Sequence, residues 1–244
     1  AEKPSPKADV FWNGEIMQTL VLQEQGVLEA YQAPNAAGIP AASRDSQGYW
    51  TGVTARARVM IVNVERVPAA QAIDSLDDLL DPAWPGEEVG IAYPLFGTTA
   101  THAAALYEAL GPEQARGYFG ELAARRVRVV DGNSVVRDLV VAGQLAFGLT
   151  DTDDACAALR RDEPVAVNLL DQDGLGTLII PSTVALIAGA PHPAEARALI
   201  DYLLSREVEE ALLEADFGHI PLHEGLQPSD PCLSMAGIRA MDVD

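Results

Sequence analysis

Short apolar, β-branched runs alternate along this chain with stretches of helical spacing, and that alternation restricts the fold more than any other feature. The runs are DVFW (9–12), RVMIVNV (58–64), EVGIAYP (88–94), VRVV (127–130), LAFGLT (145–150) and TLIIPSTVALIAG (177–189). Between them IMQTLVLQEQG (16–26) carries Ile16, Leu20 and Val21 on one face, and SLDDLLD (75–81) opens on a serine cap. Helical spacing continues at 99–110, at 112–124 with Pro112 suited to a first turn, and at 134–143, which ends on Gly143. The stretches 192–205 and 206–218 complete the series. Strands alternating with helices of this length predict an α/β fold with largely parallel, buried strands flanked by helices. At 244 residues, 48% of them hydrophobic, the chain is long enough for one large domain or two lobes.

Composition removes whole classes of partner. Thirty-six acids against sixteen bases leave a net charge of −20, which repels phosphate backbones and anionic lipid, so neither nucleic acid nor a membrane surface is expected as a partner. No apolar run approaches the roughly 18 residues that span a bilayer. The opening AEKPSPKADV lacks the basic-then-apolar pattern of a signal peptide, which fits a cytoplasmic chain and a processed secreted one equally. The two cysteines, Cys156 and Cys232, have no zinc-ligand spacing, and Cys156 is expected as a buried thiol on a short helix.

In sheets of this kind ligands gather where strands end and helices begin. Three such junctions are rich in small polar residues. After 88–94 come Gly97, Thr98 and Thr99; after 127–130 come Asn133 and Ser134; after 145–150 comes the acidic TDTDD. The first two offer backbone N–H groups at helix starts, suited to an anion or a carbonyl oxygen. In the third, Asp151, Asp153 and Asp154 fall within four positions, although one helix start needs one acidic cap. Carboxylates are hard oxygen donors, suited to Fe³⁺, to divalent ions and equally to an ammonium group. Opposed to the first two junctions they suggest a ligand of both signs, or a metal bound with a small anion.

The stretches DVFWNGE, WTGVTARARVMIVN, FGTTATHAAAL, GNSVVRDLVVAGQLAFGLTDTDDA and GTLIIPSTVALIAGAPHPAEARALIDYLLS stand in an order that resembles the extracellular solute-binding proteins of ABC transporters, in the ferric-binding branch. The resemblance runs from Ala8 to about Asp244. It implies a two-lobed type II periplasmic-binding fold, with a first lobe in 1–57, a second in 58–177 and a return to the first in 178–244; RARVMIVN and GTLIIPSTVAL resemble the two crossing strands. Relatives carry a βαβ unit ahead of the segment AEKPSPKADVFW, so a truncated first lobe with an open sheet edge is expected, and the end after MDVD also looks short. The resemblance further implies a periplasmic or extracellular location, an ABC permease as partner, and capture of a small solute in a cleft between lobes. The cargo is then a metal ion (Fe³⁺ or divalent) with a synergistic anion, or a small anionic or zwitterionic compound.

The ferric-binding relatives place two consecutive tyrosines where this chain has Thr152 and Asp153, so a tyrosinate iron site is not expected. The candidate ligand residues are Asn13, Glu15, Arg58, Gly97, Thr98, Thr99, Asn133, Ser134, Asp151, Thr152 and Asp153, with Asp151 and Asp153 as candidate metal ligands. The family's first-lobe ligand position falls between Asn13 and Glu15, on Gly14. Arg56 and Arg58 share one strand face and either hold an anion or pair with carboxylates; Arg137 is a weaker candidate of the same kind. His102, inside a helix, reads as a packing or capping residue, and Trp12, Tyr93 and Phe96 as core. Catalysis is not expected. Asp151-Thr152-Asp153 resembles the DxD pair of magnesium phosphatases, but no matching lysine or second acidic pair follows. A ligand-sensing effector domain is the remaining alternative, and no helix-turn-helix accompanies it.

Overall fold

The computed structural model describes residues 5–215 and 217–243. The chain forms two compact units: unit 1 combines Ala1–Arg56 with Ile180–Ser234, and unit 2 combines Ala57–Ile179 with Met235–Asp244. It passes from one to the other inside β3 (Thr51–Asn63) and again inside β8 (Ile179–Ile187). The last ten residues belong with unit 2, not with the rest of 178–244. Thr177 and the tail exchange backbone bonds, Thr177 N to Arg239 O and Met241 N to Thr177 O, each 2.9 Å. Among the described residues no helix is long and apolar enough to cross a membrane.

In unit 1, β1 (Val10–Asn13) and β2 (Leu28–Glu29) both run antiparallel to β8, with Val10 opposite Leu186 and Leu28 opposite Ile187. The two-residue period of β8 sorts its side chains between two cores. Val184 and Leu186 join Ile39, Val53, Ile200 and Leu204, while Ala185 faces Leu28 and Trp50. The helices here are α1 (Met17–Glu24), α6 (Pro193–Leu203) and α7 (Arg206–Glu214). Arg206–Glu214 begins on Ser205, whose hydroxyl accepts from the Val208 N–H as a cap.

Unit 2 is built on a sheet in the order β7-β3-β6-β4-β5. Strand β4 (Val89–Ala92) lies parallel to both β5 (Arg128–Val130) and β6 (Phe147–Asp151). Strand β3 lies antiparallel to β6 on one edge and to β7 (Val165–Leu169) on the other. The expectation of largely parallel strands is therefore corrected: parallel pairing is confined to β4 and its two neighbours. An apolar run reads the same in a parallel strand and in any other strand buried on both faces, so direction is not in the pattern. Each parallel strand leads into a helix: α2 (Gly97–Leu110, followed by α3, Pro112–Ala124) after β4, α4 (Asn133–Val141) after β5 and α5 (Thr152–Leu159) after β6.

Two glycines set how closely α4 sits on this sheet. A Cβ on Gly148 would stand 2.5 Å from Val136 Cγ1 and 2.7 Å from the Gly90 carbonyl oxygen, and one on Gly90 would stand 2.4 Å from Leu145 Cδ1. With glycine at both positions the helix backbone comes down onto the strands, and Val136 and Val140 are fully buried beneath it. The thiol expected at Cys156 is also corrected: Cys156 and Cys232 are both disulfide-bonded. Spacing alone could not show this, because disulfide partners are set by the fold.

Candidate functional site

Unit 2 brings its three polar junctions together. Register is the first cause. Arg58 of β3 stands directly opposite Asp151 of β6 in an antiparallel pair, so both side chains leave the sheet on one face. Arg58 is fully buried and Asp151 is 3% exposed. A charge in such a place requires a partner, and Arg58 Nη1 donates to Asp151 Oδ1 at 2.5 Å. The other carboxylate oxygen, Oδ2, accepts from Thr98 Oγ1 at 2.5 Å and from Asn133 Nδ2 at 2.8 Å. Asn133 Nδ2 also donates to Thr98 Oγ1 at 2.9 Å, and its Oδ1 accepts from Arg58 Nη1 at 3.1 Å and Thr99 Oγ1 at 3.2 Å. One carboxylate thus ties together the starts of α2, α4 and α5.

Those starts are left without side-chain caps. Asp151 occupies the N-cap position of α5, yet its carboxylate makes no cap bond because it is held by Arg58, Thr98 and Asn133. The N-caps of α2 and α4 are Phe96 and Gly132, and neither provides one. First-turn N–H groups have no acceptor within their own helix, so each start presents donors and the positive end of the helix dipole. Gly97, at φ +62°, and Gly132 both border open space: a Cβ on either would meet nothing within 4 Å. Ser134 is exposed beside them. The arrangement offers backbone N–H donors to a negatively charged or carbonyl oxygen.

The remaining candidates take other places. Thr152 is fully buried, and its hydroxyl accepts from the Ala57 N–H at 3.1 Å. Asp153 is half-buried on the first turn of α5. Asp154, expected as a solvated dipole residue, instead pairs with Arg137 Nη1 at 2.7 Å. Asn13 and Glu15 lie in unit 1 and are tied to each other, Asn13 Nδ2 donating to Glu15 Oε1 at 2.8 Å. Glu15 is 4% exposed and caps α1, accepting from Met17 N at 2.6 Å and Gln18 N at 3.2 Å. Arg56 belongs to unit 1, where Nη1 reaches Gly14 O at 3.5 Å and Nη2 meets His219 Nε2 at 3.4 Å. Burial and the Arg56 charge hold His219 down at about 4.

His102 and the aromatics depart from their sequence reading. The imidazole is 2% exposed and its Nδ1 accepts from Arg58 Nε at 3.4 Å, so it belongs to the polar network. Burial and the neighbouring guanidinium hold it well below its ordinary range, so it is neutral. Trp12, Tyr93 and Phe96, expected in the core, are exposed at 58%, 47% and 57%. The one sequence signal for the network was Arg58 itself, a charge inside the apolar strand VMIVN. Among the described residues no group of three or more His, Cys, Asp or Glu side chains is placed to hold a metal ion.

Comparison with known proteins agrees with this architecture. Residues 5–234 match the family model described as bacterial extracellular solute-binding protein. Iron uptake protein A1 of Synechocystis is 23% identical over 241 residues, covering 93% of this chain and 66% of that protein. A putative 2-aminoethylphosphonate-binding periplasmic protein of Salmonella typhimurium is 25% identical over 235 residues, covering 94% and 66%. The crystal structure of iron-bound HitA from Pseudomonas aeruginosa superposes with a TM-score of 0.84 at 26% identity, over 96% of this chain and 75% of that one. The chain spans a little under two thirds of the length of both curated relatives. These proteins are named for uptake and binding, and the α/β fold with helices on its sheets is the one they share.

Proposed function

Because the chain belongs to the bacterial extracellular solute-binding protein family, we propose that it is the substrate-binding component of an ABC importer and captures a small anionic or zwitterionic solute. One observation carries the choice of ligand: the starts of α2 and α4 have no side-chain cap and border open space at Gly97 and Gly132. The acidic end of the solute lies against these N–H groups, and binding shifts the protein toward the conformation that a permease recognises. The disulfide-bonded state of both cysteines supports residence in an oxidising compartment, the periplasm or the cell exterior.

Ferric ion with an anion is the second reading, favoured by the iron-related names among the relatives. The donor chemistry of the acidic loop weighs against it. Thr152 and Asp153 stand where a tyrosine pair would be, and both Asp151 oxygens are taken by Arg58, Thr98 and Asn133. A phosphatase-like reaction at Asp151 is disfavoured for the same cause, since a buried carboxylate held by three donors is a poor nucleophile.

Isothermal calorimetry with 2-aminoethylphosphonate, inorganic phosphate and ferric citrate tests the proposal. Heat of binding is expected with at least one of the first two, and no phenolate-to-iron colour with ferric salts. A visible charge-transfer band, with neither anion bound, sinks the anion reading in favour of iron.

A further inference from the structure

We propose that His102 is a positioning residue for the helix starts of unit 2, acting through Arg58; the proposal rests on the reading of those starts as an anion site. Arg58 bears five N–H donors in a rigid plane, and the orientation of that plane decides which acceptors it reaches. Nη1 reaches Thr98, Asn133 and Asp151, one residue from each of the three helix starts. Nε is held from the opposite side by His102 Nδ1, which sits on α2 itself. The imidazole fixes the guanidinium plane, and the guanidinium fixes the spacing of α2, α4 and α5.

Stability alone does not account for a histidine here. Among the described residues the buried His102 Nε2 and Arg58 Nη2 have no hydrogen-bond partner. Such orphans are unfavourable, and a leucine of similar volume at position 102 would remove one of them. What leucine cannot do is accept from Arg58 Nε. A neutral imidazole with its proton on Nε2 can, and the adjacent guanidinium keeps the ring in that form. The network therefore holds an unfavourable group whose use is geometric.

NMR of ¹⁵N-labelled protein, combined with titration of inorganic phosphate, tests this. In the ligand-free protein His102→Leu is expected to move the backbone amide signals of Thr98, Thr99, Asn133 and Ser134. It should raise the phosphate Kd roughly tenfold, as loss of an outer partner of a binding group commonly does, with no fall in Tm. His102→Asn, whose amide oxygen can take the place of Nδ1, should restore both readouts. Unmoved amides in His102→Leu, or identical behaviour of the two variants, would falsify the positioning role. In the wild type the ring should be the Nε2–H tautomer, and an Nδ1–H ring overturns the proposal whether or not the variants fold. Should the wild type bind no phosphate while the amides still respond to both variants, positioning stands and the anion reading falls.

Discussion

Glu15 in unit 1 and Asp151 in unit 2 are both buried acids where a strand gives way to a helix, and they use their charge in opposite ways. Glu15 turns back on its own helix and caps it, accepting from Met17 N and Gln18 N. Asp151 stands at the N-cap of α5 and leaves that helix uncapped, its oxygens held by residues 93, 53 and 18 positions away in sequence. The first acid completes a local structure. The second joins distant segments and leaves N–H donors open where they meet. A binding surface arises where capping is withheld.

Replacement by alanine gives the largest contrast. Asp151→Ala leaves Arg58 buried without its counter-charge, for an expected loss of about 3–5 kcal/mol in urea unfolding. Glu15→Ala removes a cap whose donors can turn to water, and should cost about 1–2 kcal/mol. Equal losses at the two positions would erase the distinction.

A smaller effect separates the histidines beside the two strand arginines, His219 against Arg56 and His102 against Arg58. His219 titrates at about 4 in the folded protein against an ordinary value of 6.5. Between those values the unfolded chain takes up the proton first. The stability His219 contributes is thus complete above pH 6.5 and is lost as pH falls toward 4. The change is of order 1 kcal/mol, since the ring is partly solvent-exposed. Urea midpoints measured from pH 7 to 4 should decline less steeply in His219→Asn than in the wild type. Parallel curves for the two proteins would remove the coupling to Arg56.

How much of this was legible in the sequence follows the same division between local and distant. Ser75 at the start of SLDDLLD does cap a turn, and with Asp78 it forms a capping box. Pro112 does open α3, and Gly143 follows the end of α4 at φ +66°. Each depends on neighbours within a few positions. The three polar junctions were also legible, because alternating strands and helices place them at corresponding strand ends. The pairing of Arg58 with Asp151 was not: Arg56 and Arg58 share a strand face, yet they fall in different units. His102 was hidden for the same reason, since its partner lies 44 positions away. Strand β7 escaped notice because VAVNL is short and follows the charged RRDEP.

Gly90 and Gly148 carry no chemistry, yet they determine where α4 begins. A side chain on Gly148 would press against Val136, three positions into α4 from Asn133, and lift the helix off the strands. In a saturation scan scored by solute uptake, both glycines would read as intolerant of every substitution, indistinguishable from residues that touch the ligand. Scored by folded yield, they would still read as intolerant, whereas the exposed Ser134 would not. Heritable change in affinity thus has a route that avoids the polar residues: volume exchanged between Val136 or Leu145 and the glycine each of them covers.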